Sequence, residues 1–408
     1  MQRVRMSAAY FKDFGWIPTI VHVDEKYVDI SKDPLLHLSL PNDLNLIAVG
    51  AFSKKWTAKL GLGSIALRSL LFYKKAVDSL LKKEKFDLIY FSTTQFPVCI
   101  LGAYWKNKFG IPYIIDMQDP WHSDYYINKP KNERPPKYWF SYRLNKYLEP
   151  IALKNVDGLI SVSDDYIKTL ILRYPKIKEI PHKTITFGAF EKDIEIAQKH
   201  PSQNPIVTLN KEKFNVIYVG RGGNDMHKSL SILFNSFKNG LSTHHYEMSR
   251  FHFYFIGTSY AANGKGKPSI KPLAEKLGIS DFVTELTDRI PFYESLNLLA
   301  KADLLFISGS DSPSYTASKI YPYLSLKKPL LAIFNHLSSA YQIIKNCEQG
   351  LALSFNETDI EKKVLDYLLK ALKGLINSDT LNTAIFEQYT AKNRCKEQCD
   401  FFEEVLNG

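Results

Sequence analysis

Glycines and basic side chains follow an apolar run in the second half of the chain, where the sequence reads YVGRGG from Tyr218. Glycine lets the backbone approach a ligand closely, and arginine and lysine form charge-assisted hydrogen bonds to phosphate oxygens. This spacing predicts a diphosphate site, although glycine-rich turns also follow strands that bind nothing. The candidate residues are Gly220, Arg221, Gly222, Gly223 and, at the start of the next helix, Lys228.

A second anion site is predicted in the segment 302–334. The pattern predicts a buried strand over Leu304–Ile307, a polar loop, a helix over Thr316–Leu326 and another buried strand over Pro329–Phe334. Backbone N–H groups and the dipole at a helix start favour an anion. An ordinary β-α-β unit with a capped helix is the alternative. The candidate residues are Ser314, Tyr315, Thr316, Ser318 and Lys319.

Two further loops follow predicted strands. Gly257 opens a small polar loop that extends to Gly266. The loop 288–291 could hold the edge of a nucleotide base through its backbone, with Arg289 and Ile290 as contacts. A surface ion pair is the alternative explanation for Arg289, and it is the one that we favour.

Binding at these loops requires a scaffold that brings strand ends together. Apolar strand-like runs alternate with helical patterns along the chain, which predicts parallel sheets covered on both faces. Two such sets in succession predict two doubly wound domains, which bind ligands at the carboxyl ends of their strands. The predicted strands are Ile17–Val23, Leu46–Phe52, Asp87–Phe91, Pro112–Asp116, Gly158–Val162, Asn215–Gly220, Phe251–Gly257, Phe282–Glu285, Leu304–Ile307, Pro329–Phe334 and Leu351–Ser354.

The segment Lys176–Lys213 is rich in proline, lysine, glutamine and asparagine and predicts a linker. We therefore expect a first domain over residues 1–190, a second over residues 191–380, and a long helix within residues 381–408 that crosses both. The chain opens on a predicted helix, Arg3–Phe14, whereas a doubly wound domain usually opens on a buried strand. Either the strand order is non-standard or the first strand is missing, and we expect the second.

Composition narrows the possible partners. A chain of 408 residues is too long for one core, and a net charge of +11 favours a polyanionic partner or a negative surface. No nucleic-acid-binding signature is present, so we expect no nucleic-acid partner. The sequence has no apolar run of membrane-spanning length and no secretory signal, and its four cysteines lack disulfide or zinc spacing. We expect a cytoplasmic protein.

The stretch Ser53–Lys85 combines many basic residues with interspersed apolar ones. Such a helix suits anionic lipid headgroups, which predicts a peripheral location at the inner membrane face. An ordinary helix that covers a sheet and solvates its lysines is the alternative. The basic residues are Lys54, Lys55, Lys59, Arg68, Lys74, Lys75, Lys82, Lys83 and Lys85.

Taken in order, several segments resemble the glycosyltransferases of the two-Rossmann (GT-B) type, near the large retaining family 4. The segments are FDLIYFSTTQFP, GIPYIIDMQDPW, ALKNVDGLISVSDDY, NVIYVGRGG with HKSL, RIPFYESLNLLAKADLLFISGS and SKIYPYLSLKKPLLA. The resemblance implies an α/β fold of two doubly wound Rossmann-like domains facing a central cleft. It also implies a nucleotide-sugar donor on the second domain and an acceptor on the first.

By the resemblance, Arg221 and Lys228 contact the donor diphosphate, and the loop 310–318 meets the distal phosphate and sugar. Ile290 lies near the base-reading loop. Members of the family carry two glutamates across the loop and helix, and the second grips the ribose. Here Ser314 and Pro322 occupy those positions. The hydroxyl of Tyr321 or Tyr323 could replace the second glutamate, unless these rings belong to the core.

The run Asp116–Trp121 ends a predicted strand with two carboxylates and a tryptophan, and His122 and Asp124 follow. The resemblance implies that Asp119 orients or deprotonates an acceptor hydroxyl and that Trp121 stacks on a sugar. Alternatively, Asp119 caps the next segment and Trp121 anchors the core. Arg221 and Lys228 would stabilise the leaving diphosphate, so that neither a metal nor a cofactor is needed.

The resemblance, together with the predicted anion sites, implies a retaining hexosyltransferase that moves a sugar from a nucleotide-diphosphate donor to a glycan or lipid-linked acceptor. Its product would be a surface polysaccharide or glycolipid. A nucleotide-sugar epimerase of the same architecture and a catalytically inactive nucleotide-sugar-binding module are the alternatives.

Overall fold

A computed structural model describes residues 2–28, 33–124, 126–127, 130–131, 134, 137–261, 264–313, 315 and 318–408, without the side chain of Leu60. The chain divides into two compact units. Unit 1 comprises Met1–Ile30, Leu40–Phe187 and Arg394–Gly408, and unit 2 comprises Ser31–Ser39 and Gly188–Asn393. The boundary therefore lies after Phe187, and residues 394–408 belong to unit 1.

Unit 1 contains two parallel sheets. Strands β1 (Thr19–Val23) and β2 (Asn45–Val49) pair with each other. Strands β3 (Ile89–Ser92), β4 (Tyr113–Met117), β5 (Gly158–Ser161) and β6 (His182–Thr184) form a four-stranded sheet in that order. The helices are α1 (Gln2–Ala8), α2 (Lys54–Thr57), α3 (Ile65–Lys83), α4 (Ile100–Phe109), α5 (Tyr138–Leu153) and α6 (Asp164–Arg173).

Both faces of the four-stranded sheet are covered, as its continuous apolar strands require. Ile115 packs with Phe91 and Trp105 on one face, whereas Ile114 packs with Phe11 and Phe402 on the other. Phe402 comes from the C-terminal helix, whose Cys395 and Cys399 are also buried in this cluster. All five tryptophans of the chain belong to unit 1.

The N-terminal helix is held by a buried ion pair. Arg3 Nε lies 3.1 Å from Asp116 Oδ2, and both side chains are almost completely buried. Arg3 also donates to the backbone carbonyls of Ile185 and Thr186, while Asp116 accepts from Tyr90 and from neighbouring polar side chains. The predicted continuous helix Arg3–Phe14 is wrong, because α1 ends at Ala8 and a separate 3₁₀ turn follows at Phe11–Phe14.

Unit 2 contains one parallel sheet of six strands, in the order β12-β11-β10-β7-β8-β9. The strands are β7 (Phe214–Val219), β8 (Phe251–Ile256), β9 (Val283–Leu286), β10 (Leu304–Ser308), β11 (Leu330–Phe334) and β12 (Leu351–Ser354). The order reverses beside β7, which lies between β10 and β8. In open α/β sheets, ligands bind at the carboxyl ends of strands where the order reverses.

Helices flank this sheet, and their apolar faces complete a core rich in phenylalanine. Phe234 and Phe237 of α8 pack against Phe253 of β8, and these rings are fully buried. Each such ring contributes about 1.5–3 kcal/mol relative to exposure. The helices from residue 188 onward are α7 (Glu191–Lys199), α8 (His227–Thr243), α9 (His245–Met248), α10 (Lys271–Leu277), α11 (Phe292–Ala300), α12 (Ile320–Ser325), α13 (Ser339–Asn346), α14 (Ile360–Leu372), α15 (Thr383–Glu387) and α16 (Ala391–Asn407).

Each predicted strand is confirmed to within a few residues, but the predicted linker Lys176–Lys213 is wrong in part. It contains most of a 3₁₀ helix at Pro175–Glu179, together with β6 and α7. The long C-terminal helix predicted within residues 381–408 is divided into α15 and α16.

Candidate functional site

The carboxyl ends of β10, β7 and β8 lie side by side in unit 2. The turn after β7 is joined to the β8 end by two backbone hydrogen bonds, from Gly220 N to Ile256 O (2.9 Å) and from Gly222 N to Thr258 O (2.8 Å). On the other side, Asp311 N donates to Asp225 O at 2.8 Å. The predicted residues Gly220, Arg221, Gly222, Gly223 and Gly257 are therefore brought to one edge of the sheet.

Two of these glycines have backbone conformations that other residues rarely adopt. Gly257 has φ +73° and Gly220 has φ +154°. A Cβ at residue 220 would also collide with the Lys319 ammonium and would lie 3.1 Å from the Tyr218 hydroxyl. Glycine at this position is therefore what leaves room for the lysine.

Arg221 forms a bidentate ion pair with Asp225, at 2.8 Å (Nη1–Oδ1) and 2.6 Å (Nη2–Oδ2). Ser310 also donates to Asp225, at 2.6 Å. Burial raises the pKa of Asp225, but hydrogen bonds from Arg221 and Ser310 outweigh burial and leave that pKa below its ordinary value. The guanidinium lies 5.1 Å from the centroid of the Tyr315 ring. Arg221, which is predicted to bind a diphosphate, is thus held in a fixed orientation.

Lys319 extends to the same place from the loop before α12. Its ammonium donates a hydrogen bond to the Tyr218 hydroxyl and lies 4.2 Å from the centroid of that ring. The described residues offer it no carboxylate within ion-pair distance. Desolvation, followed by repulsion from Arg221, lowers the pKa of Lys319 to about 7. Tyr218 completes the link by donating to the Arg221 carbonyl at 2.7 Å.

Lys228 and Arg289 are exposed. Lys228 is the second residue of α8, and its ammonium lies 5.0 Å from the centroid of the Phe355 ring. Arg289 places its guanidinium 4.0 Å from the centroid of the Tyr260 ring, and the described residues form no ion pair with it. Ile290 is partly buried and lines a small pocket with Pro205.

The loop before α12 differs from the prediction. Ser314 and Thr316 lie outside the described residues, while Ser318 is exposed. The predicted helix Thr316–Leu326 is wrong, because α12 begins at Ile320 and has only six residues. The predicted contribution of a long helix dipole to an anion site is therefore absent, because α12 has fewer than two turns.

Neither tyrosine of α12 offers an exposed hydroxyl in place of the absent glutamate. Tyr323 is fully buried, and its hydroxyl accepts a hydrogen bond from Val219 N at 2.9 Å. Tyr321 is also buried and packs near the Tyr389 ring. The interpretation of both rings as core residues is therefore correct.

Sequence reasoning missed the residues that hold these loops in place. Glu285 at the end of β9 accepts from Thr258 Oγ1 at 2.6 Å and from the backbone N–H groups of Ser269, Ile270 and Lys271. Ser269 in turn donates to the Gly222 carbonyl at 2.9 Å. The four-residue spacing of Arg221 and Asp225 was a local signal for an ion pair. No local signal joins Tyr218 to Lys319 or Glu285 to Thr258.

In unit 1, Asp119 and Trp121 follow β4 but have different environments. Asp119 is exposed and accepts no hydrogen bond from the described residues, yet desolvation by the surrounding protein raises the pKa of its carboxyl. Trp121 is buried, stacks on Phe96 and donates to Asn145. The expectation that Trp121 stacks on a sugar is corrected, because core residues cover its ring.

His122 is buried beside the ion pair of Arg173 and Glu149. Neither of its ring nitrogens has a hydrogen-bond partner among the described residues, and burial together with Arg173 lowers the pKa of the imidazole. The ring is therefore neutral at physiological pH.

The basic stretch Ser53–Lys85 contains both buried and exposed side chains. Arg68 is buried and donates to the carbonyls of Phe52 and Tyr27, which corrects its placement among the surface cations. In contrast, Trp56 is 74% exposed and lies among exposed lysines. No described helix is both long and apolar enough to cross a membrane.

Solved structures with the same fold are numerous, although no protein-family model and no curated protein matches the sequence. A glycosyltransferase from Rickettsia africae is 17% identical, with a TM-score of 0.59, and the alignment covers 100% of this chain and 94% of that one. HepE from Anabaena, solved in complex with UDP, is 15% identical with a TM-score of 0.54 over 88% of this chain and 92% of its own.

WaaG, a glycosyltransferase involved in lipopolysaccharide biosynthesis, is 16% identical with a TM-score of 0.50, over 99% of this chain and 94% of its own. The chain has the GT-B glycosyltransferase fold. The predicted α/β class with two Rossmann-like units is therefore confirmed.

Proposed function

We propose that the protein is a glycosyltransferase that moves a sugar from a nucleotide-diphosphate donor to a glycan or lipid-linked acceptor, with retention. The observation that carries this proposal is the meeting of Arg221, Lys319 and three glycines at the adjacent ends of β7, β8 and β10 in unit 2. Two cations beside closely approachable backbone suit a diphosphate, which needs charge-assisted bonds and little steric hindrance. HepE, of the same fold, binds UDP.

The residues have separate proposed roles on the donor. Arg221 stabilises charge on the departing diphosphate, and Lys228 supplies a second, mobile cation from α8. Stabilisation by side-chain cations makes the proposed reaction independent of metal. Within the described residues no cluster of three or more His, Cys, Asp or Glu side chains is placed to hold a metal.

We assign Asp119 to the acceptor. Its exposed carboxylate is available to a hydroxyl, and its raised pKa makes it a better proton acceptor than an ordinary aspartate. Asp119→Asn is expected to lower the transfer rate about 10²–10⁴-fold while leaving donor binding unchanged. Equal transfer by wild type and variant would remove Asp119 from the mechanism.

The donor proposal is tested by a thermal-shift panel of UDP-glucose, GDP-mannose and ADP-glucose. One of these should stabilise the protein, by about 2.7 kcal/mol at a concentration a hundredfold above its Kd. Arg221→Met with Lys228→Met should abolish the shift, whereas Lys276→Met, an exposed lysine on α10, should leave it intact. The absence of any shift in the wild type would refute the donor site.

Binding alone does not establish transfer. Release of nucleoside diphosphate that depends on added acceptor would support the transferase. Interconversion of the donor sugar without an acceptor would indicate an epimerase. Binding with neither reaction would indicate an inactive binding module. Pro322 is the residue that favours this alternative, because by the resemblance it occupies the position of the glutamate that binds the ribose.

We further propose that the segment 53–62 contacts an anionic bilayer, as a lipid-linked acceptor would require. Trp56 is exposed beside Lys54, Lys55 and Lys59, and Phe52, just before the segment, is also exposed. Apolar rings that insert at the interface and lysines near headgroups act together, each lysine contributing about 1 kcal/mol.

Replacing Lys54, Lys55 and Lys59 with glutamine is expected to reduce co-sedimentation with phosphatidylglycerol vesicles by at least about tenfold at low salt. The matched control replaces the exposed lysines Lys362, Lys370 and Lys373 of unit 2, which removes the same charge. Equal losses in both variants would show that net charge, rather than this segment, drives binding.

A further inference from the structure

Lys319 has an environment unlike that of the other predicted donor ligands. Its ammonium occupies the space that Gly220 leaves open, against the face and hydroxyl of Tyr218. Arg221 repels the ammonium and lowers its pKa, whereas Asp225 attracts it and raises that pKa. Asp225 already accepts two hydrogen bonds from Arg221 and one from Ser310. The cation is therefore largely desolvated without an anionic partner of its own.

We propose that Lys319 is a further diphosphate ligand beside Arg221 and Lys228, and that donor binding takes up one proton at its amine. The inference rests on the proposed donor site and adds that one proton binds to Lys319 when the nucleotide sugar binds. The neutral amine of the free protein accepts a proton from solvent, and the resulting ammonium donates to a phosphate oxygen. The step balances in atoms and in charge, because the complex gains one nucleotide sugar and one proton from solvent.

The charge count of the site supports this assignment. Arg221 and Asp225 cancel as a bidentate pair. A diphosphate diester carries two negative charges, so binding it beside a neutral pair requires a further cation. A lysine with a pKa of about 7 in the free protein is half charged at neutral pH, and a nearby anion raises that pKa.

The pH dependence of binding follows from the sign of this change. Below the free-state pKa, Lys319 is protonated both with and without donor, so affinity is independent of pH there. Between the free and the bound pKa values, only the complex holds the proton. Affinity for a nucleotide sugar should therefore fall about tenfold for each pH unit above pH 7. The sugar diphosphate itself does not titrate in this range.

The experiment is isothermal titration calorimetry with the nucleotide sugar that the panel selects, performed at pH 6.5 and pH 8 in buffers of different ionisation enthalpy. Wild type should take up about one proton at pH 8, and far less at pH 6.5. Lys319→Arg, which retains charge but cannot titrate, should take up none and should bind with a flat pH profile. Lys319→Met should bind weakly with an equally flat profile.

Lys228→Met is the matched lysine variant. It should bind the nucleotide sugar more weakly while taking up the same proton as wild type. Uptake that persists in Lys319→Met, or is lost in Lys228→Met, would assign the proton elsewhere and overturn the inference. Wild-type binding without proton uptake would do the same. Failure of every nucleotide sugar to bind at either pH would instead refute the proposed function. Thermal unfolding of each variant without ligand verifies that it folds.

Discussion

Arg221, the proposed diphosphate ligand, is held in one orientation by its neighbours. Its bidentate contact with Asp225 is partly exposed, and such pairs add little to stability. What the pair fixes is direction, because a planar guanidinium held by two parallel hydrogen bonds cannot rotate freely. Tyr315 below the guanidinium restricts it further. A diphosphate would then meet an oriented donor set, at a lower entropic cost than with a free side chain.

At the residue scale, the sharpest test is Gly220→Ala. The added methyl group would collide with the Lys319 ammonium, and φ of +154° is unfavourable for alanine. Nucleotide-sugar affinity should fall at least about tenfold, which corresponds to about 1.4 kcal/mol. Calorimetric titration measures the change.

Gly278→Ala is the control for Gly220→Ala, because residue 278 also has positive φ (+74°) but open space around the Cβ position. It should cost stability without affecting affinity. If Gly220→Ala bound as tightly as wild type, the lysine would not need the space that the glycine leaves.

Among the elements, the loops after β8 and before α10 depend on one carboxylate. Glu285 accepts from three consecutive backbone N–H groups at 3.1, 3.0 and 2.7 Å, so it caps the start of α10 from a neighbouring strand. Through Ser269 it also fixes the Gly222 carbonyl of the candidate site. A single side chain thereby links helix, sheet and site.

Glu285→Gln should lower the free energy of unfolding by about 1.5–3 kcal/mol, because an amide cannot replace the charged acceptor. Urea titration measures this loss. Glu275→Gln, an exposed change on α10, should remain within about 0.5 kcal/mol of wild type. Similar values for both variants would mean that the backbone N–H groups find other partners.

Strands were the most predictable elements, since parallel strands buried on both faces form uninterrupted apolar runs such as Leu330–Phe334. The helix α7 was missed because its proline- and lysine-rich surroundings indicated a linker. Loop positions at strand ends could be predicted locally. The contact between Tyr218 and Lys319 could not, because it joins residues 101 positions apart.

At the scale of the whole molecule, unit 1 depends on a charge pair that joins its N-terminus to the middle of its sheet. Arg3 and Asp116 are separated by 113 residues and are both buried. Removing one partner of a buried pair leaves the other charge without compensation. The N-terminal helix is therefore an integral part of the unit.

Arg3→Met should lower the free energy of unfolding of unit 1 by about 3–5 kcal/mol. Adding Asp116→Asn should restore part of this loss, because the uncompensated charge is then absent. Lys12→Met breaks an exposed pair with Asp43 and should cost no more than about 1 kcal/mol in the same urea titration. A loss as small for Arg3→Met would show that the pair is dispensable.

The uneven distribution of tryptophan has a practical consequence. Since all five belong to unit 1, indole emission reports on that unit alone, whereas the phenylalanine-rich core of unit 2 is nearly silent at the same wavelengths. Far-ultraviolet circular dichroism follows the helices of both units. Coincident unfolding curves from the two signals would indicate one cooperative transition, and separated curves would reveal two. The sequence thus provides a built-in fluorescent label for one half of the molecule.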